Sequence, residues 1–103
     1  MEKLEFTGRK GKAVIRLAQS NDGQWRSFIQ IDLHDKMNTF SGYYGCLHED
    51  QDGYSSREEA IVSAIGELEE RLEEDYNNPK SCAEVRAWID SLGVTRRQLG
   101  LFV

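Results

Sequence analysis

Hydrophobic residues recur at every second position through the first part of the chain and at every third or fourth position from Ser55 onward. The first period is that of strands and the second that of helices. Residues 12–18, Lys-Ala-Val-Ile-Arg-Leu-Ala, predict a strand, and Ser20-Asn21-Asp22-Gly23-Gln24 supplies the turn of a hairpin. From Trp25 to Leu33 the alternation sets Trp25, Ile29, Ile31 and Leu33 on one face and Arg26, Gln30 and Asp32 on the other. Residues 38–47, rich in aromatics and glycine, predict a further strand, and Leu4 with Phe6 a short additional one. Ile61, Ile65, Leu68 and Leu72 then form one stripe of an amphipathic helix over roughly 56–75, opened by the capping-box spacings Ser55/Glu58 and Ser56/Glu59. A second helix follows, with Ser81/Glu84 as its capping box, Val85, Trp88, Ile89 and Leu92 as its stripe, and Gly93 as its stop. Strand periods come first and helical periods follow without alternation. The expected fold is therefore α+β: a three- or four-stranded antiparallel sheet followed by two C-terminal helices packed on one face.

Length and charge narrow this picture. The 103 residues fit one domain, expected over 1–94, with 95–103 forming a short helix or an extended binding tail. No apolar run approaches a membrane span, and the opening residues lead into no signal-peptide core, so a cytoplasmic location is expected. Cys46 and Cys82 are far apart and belong to no C-x-x-C pair, which argues against a disulfide framework or a cysteine zinc site. The net charge of −5 is unevenly spread: residues 1–45 hold seven Lys/Arg against five Asp/Glu, and residues 46–103 hold six against thirteen. Such a balance disfavours indiscriminate phosphate binding but permits a local basic face. The run Glu67–Asp75, in which Arg71 is the single cation, predicts a negative helix face. That face resembles the phosphate-mimicking surfaces of small anti-restriction and anti-CRISPR proteins from mobile elements.

Most catalytic and ligand motifs are absent or incomplete. Gly8-Arg9-Lys10-Gly11-Lys12-Ala13 has the look of a phosphate loop, but Ala13 stands where a magnesium-binding hydroxyl is required. Its G-x-x-G form precedes a strand, whereas the RNA-clamping loop of KH domains lies between helices. His48-x-Asp50-x-Asp52-Gly53 with Glu59 approximates a calcium loop, yet its first ligand is not a carboxylate and a strand precedes it. The alternative is a polar turn in which Glu59 caps the helix. His34, His48, Cys46 and Cys82 offer no recognised metal spacing beyond Cys46-x-His48, so neither metal nor cofactor is expected. With no nucleophile elbow, H-E-x-x-H pair or dinucleotide fingerprint, the chain is expected to bind and not to catalyse.

Two resemblances suggest what it binds. The order strand, strand, strand, helix, with Trp25-Arg26 opening a strand and Ser56-Arg57-Glu58-Glu59-Ala60 opening the helix, is similar to plant ethylene-response-type DNA-binding domains and integrase arm-binding domains. In those families a three-stranded sheet enters the major groove, which implies DNA-contacting roles for Arg16, Arg26 and Lys36. The tail Gln98-Leu99-Gly100-Leu101-Phe102 resembles the Q-L-x-L-F peptide by which bacterial replication and repair proteins dock on the sliding clamp. That resemblance implies a protein partner held by Gln98, Leu99, Leu101 and Phe102. Leu92 to Leu99 also resembles the turn of a helix-turn-helix, and the alternative that Leu99, Leu101 and Phe102 pack on the sheet as core carries the greatest weight of the three.

Overall fold

The computed structural model of the chain describes residues 2–35, 38–45, 53–75 and 77–92. Four strands, β1 (Glu2–Thr7), β2 (Gly11–Gln19), β3 (Trp25–Asp35) and β4 (Asn38–Gly45), are followed by helices α1 (Arg57–Glu74) and α2 (Pro79–Ser91). The strands form one antiparallel sheet in the order β1-β2-β3-β4, so the expected α+β arrangement is present with four strands. Each neighbour in sequence is a neighbour in space. The connections are therefore short, and Asn21 to Gly23 reverse the β2–β3 hairpin, with the Gly23 N–H donating to Ser20 O at 2.9 Å. Gly23 takes φ +81, a left-handed conformation that glycine adopts without steric cost.

Register decides which side chains meet. Leu4 pairs with Ile15, Phe6 with Ala13, Ile15 with Ile29 and Ala13 with Ile31, and Ile29 and Leu33 pair with Tyr44 and Phe40. One sheet face is thus apolar from edge to edge. Both helices cover it, closing a core of Ile15, Leu17, Ile29, Ile31, Leu33, Ile61, Leu68, Leu72 and Val85 with almost no exposed surface. Fully burying each such side chain contributes about 1.5–3 kcal/mol, which makes this layer the main source of stability. Ala60, Ala64 and Gly66 are buried too, and their small size lets α1 lie close on the sheet.

Both helices start on side-chain caps. Ser56 is the N-cap of α1 and its hydroxyl accepts the Glu59 N–H, while the Glu59 carboxylate accepts from Ser55. The second helix departs from the expected start. Ser81 and Glu84 do not form its capping box; Asn78 is the N-cap and Pro79 occupies the first turn, where its missing N–H costs nothing. The cap comes from the sheet instead. The buried Asp35 carboxylate at the end of β3 accepts from Lys80 N (2.8 Å), Ser81 N (2.9 Å) and the Ser81 hydroxyl (2.7 Å), placing a negative charge at the helix N-terminus. In return Asn78 Oδ1 accepts the Asp35 N–H at 2.9 Å. Burial alone would raise the Asp35 carboxyl, but the Ser81 hydroxyl and the two N–H donors outweigh it and hold the group below its usual value. This knot fixes α2 against the sheet, and Phe6 stacked on Trp88 at 5.8 Å ties its far end to β1.

Candidate nucleic-acid interface

The second sheet face is formed by the other half of each strand, and neither helix packs on it. Pairing sets Lys3 beside Arg16, Glu5 beside Val14, Arg16 beside Phe28, Gln30 beside Tyr43 and Asp32 between Lys12 and Ser41. Lys3, Lys12, Arg16 and Arg26 stand against the carboxylates Glu5, Asp32 and, at the hairpin, Asp22, so the face is mildly positive on a chain of charge −5. Lys3 and Glu5 are paired at 3.1 Å, whereas Lys12 and Arg16 form no ion pair among the described residues.

An aromatic pair stands beside Arg16. Phe28 and Tyr43 lie with ring centroids 5.9 Å apart, and Tyr43 is 62% exposed. The Tyr43 ring is thus available on this face to a flat partner. Flat bases stack on such rings, and a neighbouring guanidinium satisfies phosphate. Sequence reasoning missed both rings. Their signal was legible nonetheless: Phe28 falls in the polar phase of β3, and in Tyr43-Tyr44 one ring must face away from the core.

The residues predicted to contact DNA divide. Arg16 is half-buried on the open face, in register with Phe28 of β3. Arg26 shares the face but is only 2% exposed, and its guanidinium forks onto Asp22 across the hairpin at 3.0 and 3.2 Å. It is a clasp for the turn. Lys36 lies outside the described residues, as do Gln98, Leu99, Leu101 and Phe102 of the tail.

The other motifs resolve into structural roles where they are described. In the Gly8–Gly11 turn the N–H groups of Lys10 and Gly11, which a phosphate loop would offer to its ligand, both donate to Glu84 Oε1 at 2.8 and 2.9 Å. An internal carboxylate fills that site. Gly11 packs closely there, since a Cβ would lie 3.0 Å from Ser81 O and from Val85 Cγ2. Gly53 donates to Gln24 Oε1 and Glu59 caps α1, as expected of a polar turn, while His48, Asp50 and Asp52 lie outside the described residues. Among the described residues no group of three His, Cys, Asp or Glu is placed to hold a metal ion, and no helix is long and apolar enough to cross a membrane. Cys82 is buried, which pushes its thiol up, and the Asp75 carboxylate adds to the shift.

The acidic run occupies the opposite layer. Glu69, Glu70, Glu73 and Glu74 are exposed on α1, and Arg71, whose guanidinium covers the Tyr44 ring at 4.1 Å, pairs with Glu67 and Glu74. The sheet itself therefore separates the negative helix face from the mildly positive open face. Set beside protein-family models, curated proteins and solved structures, the chain matches none of them.

Proposed function

We propose that the chain is a non-enzymatic binding domain whose open sheet face engages nucleic acid. The observation that carries this reading is Tyr43, 62% exposed and tilted at 32° against Phe28, whose cross-strand neighbour is Arg16. The rings supply base stacking, worth about 1–3 kcal/mol per base, while Arg16 and Lys12 supply phosphate contacts. The net charge of −5 opposes the reading only at long range, because the exposed carboxylates of α1 lie behind the sheet. Fluorescence anisotropy with short single-stranded and duplex oligonucleotides at low salt tests it. Tyr43→Ala weakens binding roughly tenfold or more, in line with the loss of one stacked base. Arg16→Ala weakens it across all sequences and lowers the salt slope by about one unit. Absence of binding to DNA and RNA alike at low salt removes this reading.

The tail supports a second, compatible reading, in which Gln98 to Phe102 docks on the bacterial sliding clamp as a short extended peptide. Leu101 and Phe102 would fill an apolar pocket, at about 1.5–3 kcal/mol each, and Gln98 would hydrogen-bond at one end. Replacing Leu101 and Phe102 together by Ala abolishes clamp capture at an unchanged melting temperature. A melting temperature lowered by many degrees would instead make these residues core.

A further inference from the structure

We infer that β4 is a self-pairing edge and that two copies of the chain join through it, antiparallel about a two-fold axis, into one eight-stranded sheet. The hydrogen-bond directions follow from the neighbouring bridge. Trp25 pairs with Gln19 of β2 on one side and exchanges both backbone bonds with Tyr54, at 2.8 and 2.7 Å, on the other. Backbone groups alternate in direction along a strand, so every second residue of β3 from Trp25 onward, including Ile29, Ile31 and Leu33, points its N–H and C=O toward β4. Their partners Tyr44, Gly42 and Phe40 are thereby satisfied. Thr39, Ser41 and Tyr43, the residues between, direct their N–H and C=O outward, and among the described residues no strand pairs with them.

An edge of this kind is usually blunted by charge, proline or a bulge. The other edge strand, β1, carries Glu2, Lys3 and Glu5. Asn38–Gly45 contains no charged residue and no proline, so nothing in it opposes a second strand. The sequence is also compatible with its own copy. With the two-fold at Ser41, Ser41 meets Ser41 and Thr39 meets Tyr43; with the two-fold at Gly42, Ser41 meets Tyr43 and Phe40 meets Tyr44. In both registers helix-side residues oppose helix-side residues, no charge opposes a charge, and the apolar layer runs on beneath the junction. Tyr43 keeps its ring on the open face, so the inference does not depend on nucleic-acid binding.

Charge gives the association a sign. Each copy carries a net charge of −5, so two copies repel one another. Added salt screens that repulsion and tightens pairing. An interface of one strand pair is small, so the association is weak.

Sedimentation velocity of the full chain, from micromolar to millimolar concentration, tests the inference. The expected result is a reversible species of twice 11.8 kDa that strengthens with salt. Ser41→Pro removes one outward N–H without touching a bond to β3, and Ser41→Lys places a like charge on both sides of the axis. Each is expected to weaken association at least about tenfold with an unchanged circular dichroism spectrum. Should Ser41→Pro fail to fold, Ser41→Lys decides. A wild-type chain that stays monomeric throughout, or Ser41→Lys pairing as tightly as wild type, overturns the inference.

Discussion

Arg26→Ala separates two roles that a basic residue on this sheet can have. The guanidinium is 2% exposed and donates two forked hydrogen bonds to the Asp22 carboxylate, at 3.0 and 3.2 Å, across the β2–β3 hairpin. Truncation removes both charge-assisted bonds and opens a void beneath the turn, while Asp22, 36% exposed, recovers most of its hydration. The Coulombic share is correspondingly screened, and the loss lies in the packed stem and the forked bonds, at about 2–3 kcal/mol. For a domain of this size that lowers the melting temperature by roughly 10–20 °C. Arg26→Lys recovers only part, because one ammonium cannot replace a planar fork. Arg16→Ala, on the same face without an ion pair among the described residues, is expected to shift melting by no more than a few degrees. Thermal denaturation followed by circular dichroism reads both. An Arg26→Ala protein that melts within about 2 °C of wild type while losing oligonucleotide affinity would refute the clasp assignment and make Arg26 a contact residue.

Three further outcomes follow from the same geometry. Reversing Glu70, Glu73 and Glu74 to Lys leaves the fold intact, since all three are exposed, and raises oligonucleotide affinity by weakening long-range repulsion; loss of a captured protein partner in that variant would restore the phosphate-mimic reading of α1. Asp22 is held below its ordinary carboxyl value by the Arg26 fork and the Gln24 N–H, and Asp35 by the Ser81 and Lys80 donors, so their contribution is complete above about pH 4 and is lost as pH falls through the depressed values; urea denaturation from neutral to acidic pH should show stability dropping only below that point. The buried Cys82 thiol, with its raised pKa, should be labelled by a maleimide only after unfolding, as peptide mapping of native and denatured samples would show.

Element types and their order follow from the periodicity of the chain alone. A period of two over Lys12–Leu33 and a period of three to four over Ile61–Leu72 dictate strands and a helix whatever they pack against, because side-chain direction follows from backbone geometry. Ser56 as the α1 cap and Glu59 as a capping group were legible from equally local spacing. The start of α2 was not, because its cap, Asp35, lies on β3 and no local spacing between Ser81 and Glu84 encodes that contact. Nor could the sequence tell Arg26 from Arg16: both sit in the polar phase of a strand, and only the hairpin places Asp22 within reach of one of them. The joining of Phe28, Tyr43 and Arg16 into one surface needed the register of three strands. Contacts across strands depend on which residues the turns bring into register, and that is a property of the assembled sheet.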